Sequence, residues 1–238
     1  MTAGPFAERM RRWLRATCLA FCVSILAGVL YQIGSVLDAR HRTPGMVARI
    51  LGSGQIRLRS SELTPRQRDI LLKVEDPGFH EHHGVDLSTP GAGLTTISQA
   101  VVKKLYFEEF KPGLAKIRQT LIARFALDSL VPKDDQLTLF INLAHFREGV
   151  TGLAAAAEFY HGKKVADLGE DEFISLVAMF IAPRTFDIKD RPASNAERVR
   201  RIKRLLSGAY KPKGLMDQYY GTLSAEEQSG LAPASYFP

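Results

Sequence analysis

Residues 75–86 read EDPGFHEHHGVD. Glu75, Asp76, Glu81 and Asp86 stand there with His80, His82 and His83, while Pro77, Gly78 and Gly84 forbid a regular helix. A helix leads into the stretch. Thr64 is a good N-cap, Pro65 fits the first helical position, Gln67 completes a capping box, and Ile70, Leu71 and Val74 form the apolar face. Glu75 falls on the last turn before the loop, where a carboxylate can project into a cleft instead of bulk solvent. A free glutamate titrates near pH ~4.3 and serves as a general base once positioned. Asp76, Glu81, Asp86 and the histidines are the right types to bind a metal, or to cap and orient the loop. The spacing of the histidines matches no metal site on a single helix, and hard cations prefer oxygen ligands. Taken alone, the stretch also reads as a charged surface loop.

Outward from it the chain is helical. A second helix opens at Thr95 with Ile97, Val101 and Leu105 at four-residue spacing, and others are expected over 114–130, 133–146, 152–160, 170–182 and from Ser194 to Ser207. This is a mainly α domain with one core, placed at 61–210. Residues 38–60 read as a linker with a short strand, and 211–238 as a Gly- and Pro-punctuated tail. Residues 16–37 carry no charge and are long enough to span a membrane as a helix. Arg9, Arg11, Arg12 and Arg15, in a basic tail over 1–15, put the N-terminus in the cytoplasm and the domain outside it. A cleaved signal peptide is the rival, but the apolar run exceeds an h-region in length. Cys18 and Cys22 both lie in this span, so the expected exported part has no thiol for a disulfide or zinc site. The formal net charge of +7 points to anionic partners without choosing among them.

EDPGFHEHHGVD resembles the first motif of the peptidoglycan glycosyltransferases of family 51, Glu-Asp-x-x-Phe-x-x-His-x-Gly-x-Asp. Glu75, Asp76, Phe79, His82, Gly84 and Asp86 match every fixed position. Residues 93–105, GLTTISQAVVKKL, are similar to the second motif through Gly93, Thr96, Ile97, Gln99 and Lys103, with Thr95 and Ser98 exchanging one hydroxyl for another. Thr96, Gln99 and Lys103 would share one helix face, a hydroxyl, an amide and an ammonium suited to a pyrophosphate. Residues 132–187 continue the likeness through Asn142, Gly152, Tyr160, Lys163, Leu168, Glu172 and Pro183. The resemblance spans about 55–210. It implies a lysozyme-like two-lobed fold behind one transmembrane helix, in the monofunctional form without a transpeptidase. The implied partners are lipid II, the growing glycan chain, the inner membrane and other cell-wall synthesis proteins, with no nucleic acid. Glu75 is implied as the base. Asp76, Phe79, His82, Thr95, Thr96, Gln99, Lys103, Lys116, Arg118 and Asn142 are implied to bind substrate.

The third motif of that family, Arg-Lys-x-x-Glu, supplies a second acid that assists the departing pyrophosphate, alone or through Mg2+ or Mn2+. Counting back from Pro132-Lys133 places it on residues 116–120, with Thr120 where the glutamate belongs and Lys116, Thr120 and Arg124 forming a basic stripe. Asp128 and Glu148 are the nearest substitutes, and Arg147 stands where the family has glycine. The departure leaves three readings: a transferase, a lipid II-binding scaffold, and a lysozyme-type hydrolase. Hydrolysis needs a protonated Glu75, and cations around the cleft are expected to lower its pKa.

Overall fold

The computed structural model describes residues 5–231 except Pro112; residues 1–4 of the expected basic tail and 232–238 of the expected C-terminal tail lie outside the described residues. Helix α1 runs Pro5–Leu51, about 70 Å at 1.5 Å per residue. It contains the one helix stretch, Arg9–Leu51, long and apolar enough to cross a membrane among the described residues. The expected linker is thereby corrected over 38–51, which continues the same helix. Ala39, Thr43 and Val47 recur every four residues and are buried where α1 packs on the domain. Arg40 donates to the Phe125 carbonyl and, at 2.9 Å, to Ser129 Oγ, and Thr43 bonds the Tyr106 hydroxyl. Pro44 removes one amide donor, yet this docking carries the helix past it.

Helix α2, Pro65–Glu75, begins as its sequence dictates: the Gln67 amide donates to Thr64 Oγ1 at 3.2 Å and the Thr64 amide donates to Gln67 Oε1 at 3.0 Å. Helix α3, Ile97–Tyr106, starts two residues later than expected because Thr96 is its N-cap. Helix α4, Leu114–Ile122, passes into a π-helical turn at Ala123–Leu127 and a last turn at Asp128–Leu130. There the Asp128 amide donates to the carbonyl of Ala123, five residues back instead of four, so the turn absorbs one extra residue. Gly84 sits against it with φ +81°; a Cβ at that position would lie 2.6 Å from the Ala123 oxygen.

Helix α5, Lys133–Leu143, stops short of the expected end, and a small antiparallel hairpin follows: β1, His145–Arg147, against β2, Val150–Thr151, with His145 opposite Thr151. Helices α6, Leu153–His161, α7, Glu170–Val177, and α8, Pro192–Leu206, complete the body. Ile70, Leu71, Ile97, Leu137, Leu139, Phe173 and Leu176 belong to one continuous core. Asn142 is corrected from substrate binder to internal tie. Its Oδ1 accepts from the Arg57 and Leu58 amides, and its Nδ2 donates to the Leu58 and Thr138 carbonyls, which exhausts its hydrogen-bonding capacity.

The expected tail is corrected too. Residues 211–231 strap back over the domain and end in the short helix α9, Ala225–Gly230. The Gly91 amide donates to the Gly214 carbonyl at 2.9 Å and the Gly93 amide to the Leu215 carbonyl at 2.8 Å. Arg201 pairs with Glu227 at 2.8 Å, both buried. Gly93 (φ +71°) leaves room for the Gln218 side chain, which any Cβ there would overlap.

Candidate active site

A cleft of about 480 Å³ opens between α2, α3, α4, the end of α5 and the strap. Glu75 is the one carboxyl among its described lining residues, and it faces a wall that includes Lys103, Lys104, Lys116, Arg184 and Arg198. The other end is apolar, with Phe110, Phe140, Leu143, Phe180 and Ile181; Phe140 and Phe180 stack at 5.0 Å between ring centres.

The turn that carries Glu75 at the end of α2 is tied to the strap. Tyr220 Oη donates to the Val74 carbonyl at 2.7 Å, from a backbone with φ 56°, a conformation that is costly for a bulky side chain. Arg198, almost wholly buried, backs the cleft wall to which it contributes, among the rings of Phe186, Tyr219 and Tyr220 at 5.2, 5.7 and 5.6 Å. It donates to the Ala178 and Gln218 carbonyls. Burial pushes the Glu75 carboxyl up to about 8; Arg198 opposes the rise and the neighbouring Asp76 adds to it. This reverses the expectation that nearby cations keep Glu75 well ionised, because desolvation exceeds their pull. Burial likewise lowers Lys103 to about 8, helped by Lys104 and Lys116, and lowers Lys116 to about 8.

The other residues of the opening stretch build the site without lining it. Asp76 is fully buried; its Oδ2 accepts from the Ile97 amide at 2.9 Å and its Oδ1 bonds His82 Nε2 at 2.9 Å. It therefore satisfies an orphan donor at the start of α3 and aligns that helix with α2. Phe79 is buried edge-on to His82 at 6.3 Å, with Lys133 4.6 Å from its ring centre. Asp86 closes its own turn: burial opposes its charge, but hydrogen bonds from Thr89 and Ser88 outweigh that and hold it at about 2.

The second stretch divides in the same way. Lys103 and Thr95 line the cleft, and Lys116 Nζ donates to Thr95 Oγ1 at 2.9 Å. Thr96 touches the cleft, but its hydroxyl donates to the Gly84 carbonyl and accepts from the Gln99 amide, so it caps α3. Gln99 is buried and outside the lining; its Oε1 accepts from the Thr96 amide and its Nε2 donates to Thr120 Oγ1. The shared polar face expected of Thr96, Gln99 and Lys103 is thus not formed, because Thr96 precedes the helix. Arg118 points elsewhere, 5.4 Å from the Phe107 ring centre, and is not in the cleft wall.

Thr120 is also not in that wall. Its hydroxyl donates to the Lys116 carbonyl and accepts from Gln99. The side chain of α4 that does line the cleft beside Lys116 is Gln119. The π-helical turn lies between this part of α4 and Pro132-Lys133. Asp128 pairs instead with Lys133 at 2.7 Å, and Glu148 is exposed in the hairpin. Arg124 reaches the His83 carbonyl at 3.4 Å, outside the cleft.

Arg198, Gln119 and the strap are the features that sequence reading missed. Arg198 shares the inward face of α8 with Asn195 and Ile202, and that spacing was the available signal for a buried arginine. Among the described residues no three His, Cys, Asp or Glu side chains gather as metal ligands. One carboxyl with a raised pKa among lysines is a poor donor set for a hard divalent cation, which needs several anionic oxygens.

A half-buried, desolvated carboxyl opposite lysines in a half-apolar cleft, on a helical domain of this kind, is the equipment of an acid–base enzyme for an anionic, part-apolar substrate. The chain belongs to the transglycosylase family, whose sequence profile matches residues 46–207 and whose fold is lysozyme-like. It is 31% identical over 241 residues to the biosynthetic peptidoglycan transglycosylase of Xanthomonas oryzae pv. oryzae, covering 88% of this chain and 95% of that protein. It is 25% identical over 240 residues to the protein of the same name from Bordetella pertussis, covering 84% and 98%. It is 32% identical over 151 residues to penicillin-binding protein 1F of Bacillus subtilis, where the match spans 58% of this chain but 21% of that larger protein.

Proposed function

We propose that the chain polymerises lipid II into peptidoglycan glycan strands. The observation that carries this reading is Glu75 as the one carboxyl of a cleft whose cationic lining is lysines and arginines. Ionised Glu75 takes the proton of the acceptor's GlcNAc 4-hydroxyl. That oxygen attacks the donor's MurNAc anomeric carbon with inversion, the bond from that carbon to the phosphate oxygen breaks, and the lipid pyrophosphate departs. Lys103 and Lys116 stabilise the charge that builds on the leaving group. No step is routed through a metal. The apolar wall of Phe110, Phe140 and Phe180 suits a substrate that is itself a lipid. The apolar part of α1 anchors the protein in the cytoplasmic membrane with the arginine-rich end inside and the domain outside, among other wall-synthesis proteins.

The raised pKa of Glu75 gives a test of direction. A base works only when ionised, so kcat/KM should rise as pH climbs through about 8. Lys103 and Lys116 lose charge over the same range, so a narrow bell is expected, with limbs that belong to the coupled groups together. A hydrolase using protonated Glu75 as its acid would instead lose activity across that whole interval. The measurement is polymer formed from labelled lipid II by the full-length protein in detergent, between pH 6 and 10. Falling activity throughout, or sugar fragments in place of polymer, would sink the transferase reading. No turnover with retained lipid II binding would support the scaffold.

A further inference from the structure

Gln119 is almost wholly buried, lines the cleft, and has one end fixed. Its Nε2 donates to the Gln99 carbonyl at 2.7 Å. A carbonyl can only accept, so the amide orientation is determined: nitrogen toward α3 and oxygen the other way. That oxygen, Oε1, is buried and has no hydrogen-bond partner among the described residues. A buried acceptor without a donor is costly, and native structures rarely leave one unused. The neighbouring Thr120 has no such vacancy, since its hydroxyl both donates and accepts within the fold. Lys116, one turn before Gln119, lines the same wall.

We propose that Gln119 Oε1 is a substrate-binding acceptor that takes a hydrogen bond from a hydroxyl or acetamido N–H of the amino sugar whose phosphate lies against Lys116. The inference rests on the transferase reading for the identity of the sugar. It adds that the second acidic position of the family is held here by an amide. Read forward from the lysine, Ala115-Lys116-Ile117-Arg118-Gln119 aligns with Arg-Lys-x-x-Glu. A neutral amide can orient a sugar but cannot exchange a proton with it, so acid–base work in this cleft falls to Glu75 alone.

The test uses the full-length protein in detergent with labelled lipid II and Mg2+, and compares Gln119→Ala, Gln119→Glu, Thr120→Ala and wild type. Gln119→Ala should lower kcat/KM about tenfold, the value of one lost hydrogen bond of about 1.4 kcal/mol. Thr120→Ala should stay within about twofold once fraction folded is corrected by thermal melt. Gln119→Glu keeps an acceptor toward the cleft, loses the donor to the Gln99 carbonyl unless protonated, and introduces a second titrating group, so after the same correction for fraction folded it should retain substrate binding and add an ionisation to the pH profile. That comparison stands even where Gln119→Ala folds poorly. Equal losses at 119 and 120, or a Gln119→Glu profile identical to wild type, would overturn the proposal. If wild type makes no polymer, the transferase reading fails separately. Direct lipid II binding then decides for Gln119, which is supported if Gln119→Ala weakens it about tenfold and refuted if affinity is unchanged.

Discussion

Two regions meet at Glu75, and they divide labour in the opposite way to their sequences. Residues 75–86 are dense in groups that do chemistry elsewhere, yet Asp76 spends its bonds on His82 and the start of α3, Asp86 closes its own turn on Ser88 and Thr89, and Phe79 packs into the core. Residues 211–231 look like a spent tail, yet Tyr220 holds the Val74 carbonyl and Gln218 and Tyr219 wall the cleft. A functional residue type is therefore a weaker guide than the state of its valences. A carboxylate with both oxygens engaged inside the fold, as on Asp76, is masonry; one left facing a cavity, as on Glu75, is available for reaction.

The comparison breaks first at Glu75. Glu75→Gln should cut polymer formation about 10²–10⁴-fold, measured with labelled lipid II, while the fold persists. It should also stabilise the protein toward alkaline pH. The folded carboxyl titrates at about 8, above its ordinary 4.5, so ionisation costs the folded wild type stability as pH rises between those values. The gap in Tm between variant and wild type should widen from pH 5 to pH 8, and a constant gap would contradict the burial of this group.

Asp76→Ala comes next and should act on the fold. It leaves the Ile97 amide and His82 without their partner in a buried site, at a cost of about 3 kcal/mol, read as a lower denaturation midpoint. Activity lost at full stability would instead return Asp76 to the chemistry. The smallest effect is expected at Tyr220→Phe, which removes one neutral hydrogen bond worth about 1 kcal/mol. It should lower Tm by a few degrees and shift the pH profile slightly, because the turn bearing Glu75 loosens. A profile unmoved by this change would confine Tyr220 to stability.

Local chemistry made much of this legible. The capping box at Thr64, the apolar span over 16–37, the helical class and the carboxyl at the end of α2 follow from rules acting over a few residues. What failed was non-local. Residues 38–51 remain helical only because Ala39, Thr43 and Val47 find a surface to dock on. That Gln119 and not Thr120 lines the cleft depends on how α4 packs on α3, which spacing along the chain does not show. The pKa of Glu75 depends on walls contributed by Arg198 and the strap, far away in the chain. Thr96 and Gln99 look like substrate groups because a sequence shows a donor and an acceptor but not whether the fold has already claimed them.

Helix α1 has a mechanical consequence. From the apolar run to Leu51 it is one uninterrupted rod, and its last turns are keyed into the domain at Arg40 and Thr43. With the apolar run seated in a bilayer, there is no swivel between lipid and enzyme. The mouth of the cleft is then carried at a set height and azimuth above the membrane, like a tool on a fixed shank. A helix advances 1.5 Å and turns about 100° per residue. The number of residues between the membrane surface and Arg40 would therefore set the direction in which the cleft faces.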